Sequence, residues 1–129
     1  MRTVKIVASS RELTKIEKIA YTDTVDAISI DEALQESYNS GAELVIAPKD
    51  YIIMDIHNDN PKQDGNTDYK TIQLIDTDGN RYITGSKSFM EAFLNIYGAM
   101  EGDPFKIKVT RRESKNYKGK YFITCNIVL

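Results

Sequence analysis

The stretch Tyr69-Lys70-Thr71-Ile72-Gln73-Leu74-Ile75-Asp76-Thr77-Asp78-Gly79-Asn80-Arg81-Tyr82-Ile83-Thr84 decides the fold. From Tyr69 to Ile75 the side chains alternate. Ile72 and Leu74 share one face, while Tyr69, Thr71 and Gln73 share the other, which is the period of a half-buried strand. Asp78-Gly79 then supplies a tight turn, because a hairpin turn needs backbone conformations that Gly adopts at little cost and Asp tolerates. Arg81 to Thr84 returns as the partner strand, with Arg81 or Tyr82 on the outer face depending on register.

Toward the C-terminus, Ser88 and Glu91 stand at capping-box spacing and open the best helical pattern in the chain. Phe89, Phe93, Ile96, Tyr97 and Met100 form its apolar face, and Gly98 is the expected stop. Phe105, Ile107 and Val109 alternate with Lys106, Lys108 and Thr110 as a further strand. After a basic connection over residues 111–120, residues 121–128 close the chain as a strand, with Ile123, Cys125 and Ile127 on one face.

Toward the N-terminus, residues 44–56 are rich in β-formers and interrupted by Pro48, which predicts an edge or a bend. Residues 58–68 read as a polar loop. The order from residue 44 is strand, strand, strand, helix, strand, strand. That is the order of the OB-fold, a five-stranded Greek-key barrel with a helix between strands three and four. An α+β sandwich or an SH3-like barrel with an inserted helix shares parts of this order. One domain over residues 1–129 is expected, with residues 1–40 as an α/β extension packed on the barrel. In that extension Val4, Ile6 and Ala8 suggest a strand. Ser9 with Glu12 and Ser29 with Glu32 suggest helix starts. Leu13, Ile16 and Ala20, then Ile30, Ala33 and Leu34, supply their apolar positions.

The chain has 129 residues, 41% hydrophobic and 28% charged, a globular balance without an apolar run long enough to cross a bilayer. No h-region of a signal peptide is read, and a single cysteine fits a reducing compartment, so a cytoplasmic location is expected. Net charge is −2, yet it is unevenly spread. Residues 1–80 hold 8 basic and 15 acidic side chains, and residues 81–129 hold 9 basic and 4 acidic, a swing from −7 to +5. Such asymmetry points to nucleic-acid or membrane contact, or to an unevenly charged solvated surface.

An OB-fold binds through the face of strands two and three and through its first and last long loops. Here those positions are Tyr69, Gln73, Arg81 and Tyr82 on the strands, and Arg111, Arg112, Lys115, Tyr117, Lys118 and Lys120 on the last connection. Cations to track phosphates and rings on which bases stack are the two needs of sequence-tolerant single-strand binding. Other features carry less. Asp55, His57 and Asp59 lack further ligands for a metal, and Asp76-Thr-Asp78-Gly79 lacks the rest of a calcium loop. Cys125 lies in an apolar strand as a core residue. No nucleophile elbow or phosphate loop is present, so neither an enzyme nor a cofactor is expected.

The segments Ile83-Thr-Gly-Ser-Lys-Ser-Phe-Met-Glu-Ala-Phe93, Phe105-Lys-Ile-Lys-Val109 and Ser114-Lys-Asn-Tyr-Lys-Gly-Lys-Tyr-Phe-Ile-Thr-Cys125 resemble the small single-stranded DNA-binding proteins of bacteriophages and related mobile elements of Gram-positive hosts. Glu12-Leu-Thr-Lys-Ile-Glu17 is similar to that family's N-terminal Leu-Thr segment. The likeness is strongest over the last 50 residues or so. It implies an OB-fold and sequence-tolerant binding of single-stranded DNA in phage or mobile-element replication or recombination, within the host cytoplasm. Binding roles carry over to Lys115 and Lys120, which match the family's basic hairpin, whereas Arg111 and Arg112 rest on charge alone. The chain has no Trp and ends in Asn126-Ile-Val-Leu129 rather than an acidic tail, so tail-mediated recruitment of host proteins is not implied. A homo-oligomer and replication or recombination proteins are further partners this reading allows. An OB-type protein–protein module and an RNA-binding OB domain are the alternatives.

Overall fold

Among the described residues, three hydroxyl side chains start three helices. Thr14, Ser29 and Ser86 sit in extended backbone, and their oxygens accept from the amides of Glu17, Glu32 and Phe89. Each cap satisfies one of the orphan donors of a first helical turn. They open α1 (Lys15–Thr22), α2 (Ile30–Ser40) and α3 (Lys87–Met100). The computed structural model describes residues 2–58, 68–113 and 120–129.

The Ser29 start is the predicted one, and Gly41 ends α2 in left-handed backbone. The other two starts are displaced. Ser9 ends the first strand, and its hydroxyl donates to the Arg11 carbonyl; the capping box belongs to Thr14 and Glu17. Ser86 caps α3, and the Ser88 hydroxyl instead donates to the Ile123 carbonyl at 2.7 Å. Gly98 does not stop α3. The helix continues to Met100 and leaves through Glu101 and Gly102, both at positive φ. A glycine inside a helix costs only about 1 kcal/mol, and continuing keeps Met100 half-buried.

Among the described residues, eight strands complete the order: β1 (Arg2–Ser9), β2 (Ile28–Ser29), β3 (Leu44–Ile46), β4 (Pro48–Asn58), β5 (Asp68–Asp76), β6 (Arg81–Thr84), β7 (Ile107–Glu113) and β8 (Tyr121–Ile127). They form two sheets, β1-β4-β5-β6-β2 and β3-β7-β8. Pro48 marks the predicted bend. β3 pairs with β7 in one sheet, and β4, beginning at Pro48, pairs with β5 in the other. The Asp78-Gly79 turn also forms. The Asp76 carboxylate accepts from the amides of Asp78 and Asn80 at 2.9 and 2.8 Å and from Asn80 Nδ2, so turn donors occupy both of its oxygens.

Over the described residues the fold is therefore mainly β, with three helices and two open sheets. From residue 44 the elements follow the predicted order, except that the first predicted strand is split at Pro48 into β3 and β4, in different sheets. β6, however, pairs with the short parallel strand β2 from the N-terminal extension rather than with β8. On β8, the Ile123 carbonyl is taken by the serine hydroxyls at the start of α3.

Two clusters form the core. The larger joins Ile30 and Leu34 of α2, Ile72 and Leu74 of β5, Phe89 and Phe93 of α3, and Ile107, Val109 and Cys125 of the second sheet. The smaller joins Leu13, Ile52, Met54 and Ile75, with Val4, Ile6, Tyr21 and Ile83 packed against it. The extension thus builds a second core on the back of the first sheet. Leu13 serves that core as the sequence suggests, but Ile16 and Ala20 do not. Both are exposed, and α1 buries no residue fully.

Burial pushes the Cys125 thiol up to about 12. The thiolate is the reactive form, so at pH 8 a thiol reagent should modify the native protein far more slowly than the protein in denaturant. Equal rates would mean the second sheet opens readily.

Candidate nucleic-acid interface

The β5–β6 face is settled by register. Gln73 lies opposite Ile83, and Ile75 opposite Arg81, so Arg81 shares the face of Tyr69, Thr71 and Gln73, while Tyr82 points into the larger core beside Leu74. Burial and the nearby carboxylates of Asp76 and Asp78 raise the Tyr82 hydroxyl above its ordinary pKa.

This face is not open, as the alternation alone suggests. Gln73 is 0% exposed, and its Nε2 donates to the Tyr21 carbonyl at 2.9 Å. Arg81 Nη1 donates to the carbonyls of Ala20 and Asp23 at 2.9 and 3.0 Å. Those carbonyls lie at the C-terminal end of α1, where a helix carries partial negative charge. Arg81 thus fastens α1 to the sheet. Arg11 fastens the approach to α1: its guanidinium bonds the Glu17 carboxylate and, at 3.1 Å, that of Asp50 on β4. The hydrogen bond from Arg11 draws the Glu17 carboxyl down to about 2.

These contacts predict a structural role. Gln73→Ala and Arg81→Ala should lower the melting temperature and speed amide exchange in α1. For Gln73 the loss should be about 1–3 kcal/mol, since the Tyr21 carbonyl loses its donor. Oligonucleotide affinity of the folded variants should match the parent. A specific loss of affinity without loss of stability would return these residues to the binding surface.

Tyr69 remains exposed at the far end of the face. It lines an open concavity with Asp55, His57, Asp68 and Lys70, in which His57 pairs with Asp68, and Lys70 with Asp55 at 3.7 Å.

The second group lies where β7 and β8 run past the core. Ile107 and Val109 are buried, but Arg111, Arg112 and Glu113 are exposed, and so are Lys120, Tyr121 and Phe122 on the partner strand. Arg111 is held on three sides. Its guanidinium lies 4.7 Å from the Tyr38 ring and 4.9 Å from the Tyr121 ring, with Nη1 3.4 Å from Gln35 Oε1. Its amide donates to the Tyr38 hydroxyl at 3.2 Å. A cation between two rings is attracted to both faces. Arg112 alternates to the other side of the ribbon, directly across from Phe122. Each side of the ribbon end therefore presents one arginine beside exposed aromatic surface. Lys115, Tyr117 and Lys118 lie outside the described residues.

Among the described residues, Tyr69 stands apart at the far end of its face, and the other predicted residues separate into two groups. Gln73 and Arg81 are joined to α1, and Tyr82 to the core. Arg111, Arg112 and Lys120 gather on the β7–β8 ribbon. Sequence reasoning missed Tyr38, Tyr121 and Phe122. Tyr121 and Phe122 follow Lys120 directly, and pairing the hairpin outward from Val109 opposite Cys125 would have set Phe122 across from Arg112. Tyr38 has no such signal. Comparison of the chain with protein-family models, curated proteins and solved structures gave no significant match.

Proposed function

We propose that this chain is a single-stranded DNA-binding protein of OB type that takes the strand on the β7–β8 ribbon, without a catalytic step. The observation that carries the reading is Arg111 fixed between Tyr38 and Tyr121, beside Arg112 and Phe122 on the opposite side of the same ribbon. Pre-positioned cations and exposed rings in one place meet both needs of sequence-tolerant single-strand binding. In support of the OB assignment, β3 and β4 act as two halves of one bent strand shared by both sheets, and OB barrels are partly open. The resemblance noted above is what supports a role in phage or mobile-element replication or recombination, in the host cytoplasm. Tyr82 lies in the core and Arg81 and Gln73 serve α1, so the proposed path does not use them.

The test is a titration of equal-sequence single-stranded DNA, duplex DNA and RNA against the full chain. The single strand should bind best, with a salt slope of about −0.7 per phosphate contact. Tyr121→Ala should weaken it by about 1–3 kcal/mol if the ring stacks on a base. Preference for RNA favours an RNA-binding OB domain. Absence of binding to all three sinks the nucleic-acid reading and favours the protein–protein module. That second reading has its own observation: Ile16 and Ile19 on α1 are 80% and 74% exposed, and apolar surface of that kind commonly meets a partner protein.

A further inference from the structure

At the opposite end of β7 from Arg111, a cavity of about 300 Å³ opens between the start of β4 and the exit of α3. Six steps of extended chain lead from Phe105, at this cavity, to Arg111, a span of roughly 20 Å. The walls are rings. Tyr97 and Phe105 have centroids 6.3 Å apart at 67°, and Pro48 and Pro104 complete the enclosure. Phe93 stands behind both aromatic rings at 5.9 and 6.4 Å, and Tyr51 lies 4.9 Å from Tyr97. The walls are therefore held in place by the core before a ligand arrives.

Polar groups converge on the same opening. Lys49 follows one proline and Asp103 precedes the other, and both are exposed. Among the described residues, neither of these side chains nor the Tyr97 hydroxyl has a hydrogen-bond or ion-pair partner. Apolar walls with a few unspent polar groups at the mouth are the usual make-up of a small-molecule site.

We propose that this cavity binds one nucleotide, with the base against Tyr97 and Phe105, the phosphate at Lys49, and base N–H groups donating to Asp103. Rings alone would accept any flat apolar group. An ammonium and an acceptor-only carboxylate at one mouth select a flat ring that bears N–H donors and is joined to an anion. The volume lies at the small end of ligand cavities, which suits a mononucleotide better than a dinucleotide. The nucleotide can come from a free pool or from a strand, and the two sources share this chemistry.

The test is an NMR titration of the labelled full chain with dCMP, deoxycytidine, ribose 5-phosphate and a short single-stranded oligonucleotide. dCMP at millimolar concentration should shift the signals of Tyr97, Phe105 and Gly102. Deoxycytidine should bind about tenfold more weakly, and ribose 5-phosphate should leave the ring signals unmoved. Lys49→Ala should remove the advantage of dCMP over deoxycytidine, and Asp103→Ala should weaken both. Both side chains are exposed, so the variants should melt with the parent. If the oligonucleotide moves the same signals, the strand is the source; if dCMP alone does, the pool is. No shift at several millimolar dCMP overturns the proposal. So does dCMP affinity in both variants equal to the parent's, or a response to ribose 5-phosphate matching that to dCMP. Mononucleotide binding is read here without the ribbon, so failure at this cavity leaves the single-strand reading standing, and the reverse.

Discussion

Replacing Arg111, Arg112, Lys115, Lys118 and Lys120 together by serine should leave a folded protein whose affinity for single-stranded DNA at low salt falls about a hundredfold. On the proposed reading, three to five phosphate contacts in the parent should give a salt slope of about −2 to −3.5. Between 50 and 200 mM salt this corresponds to a loss of roughly 15- to 130-fold. The variant should lose most of that slope, because each missing contact is a counterion no longer released. The loss should be similar for pyrimidine-rich and mixed sequences, since phosphate contacts carry no sequence information. Surface substitutions usually change stability by no more than about 0.5 kcal/mol each, but Arg111 is an exception. Its two ring contacts, 4.7 and 4.9 Å from guanidinium to ring centre, are each worth about 0.5–1 kcal/mol at an exposed site. Arg111→Lys separates the two effects. It keeps the charge and most of the salt slope but loses the flat group between Tyr38 and Tyr121. A folded five-fold variant with the parent's affinity and slope would place the strand elsewhere on the molecule.

Much of the fold was legible because the deciding signals are local. Pro48 cannot continue a ladder undisturbed, and Gly79 supplies the left-handed turn residue. Ser29 precedes an apolar residue that the core needs, Ile30, and the helix starts there. The displaced helix starts show where local signals compete. Ser86 and Ser88 both lie near the start of α3, and spacing alone cannot say that Ser88 is claimed by a carbonyl on β8, 35 residues away. The same limit governs the site. Alternation over residues 69–75 identifies two faces of a strand, but not what lies on the second one. The segment that covers Gln73 comes from 52 residues earlier in the chain. Arg111 was identifiable from charge, yet the tyrosine whose hydroxyl meets its amide lies 73 residues away on α2. Residues placed by distant partners leave no periodic trace.

Phe93 shows how far the ribbon depends on the core. It is wholly buried and is the centre of an aromatic cluster, 5.9 Å from Tyr51, 6.2 Å from Phe89, 5.9 Å from Tyr97 and 6.4 Å from Phe105. Phe93→Ala removes a ring that four neighbours surround, and should cost about 3–5 kcal/mol. Against a total stability of about 5–15 kcal/mol for a native domain, that leaves about 0–12 kcal/mol, so a parent at the low end of the range becomes half-unfolded. The loss should reach the proposed binding surface as well. α3 carries Ser88, whose hydroxyl holds β8 at Ile123, and Ile123 is the cross-strand partner of Arg111. Phe93→Ala should therefore weaken DNA binding in proportion to the unfolded fraction, and cooling or an excess of oligonucleotide should restore it by mass action. Phe93→Leu keeps most of the apolar volume, and should cost less and bind as the parent does wherever it is folded. A calorimetric scan of both variants decides the matter. If Phe93→Ala melts within a degree or two of the parent, α3 is not packed on the core as described, and the link from the aromatic cluster to the ribbon fails with it.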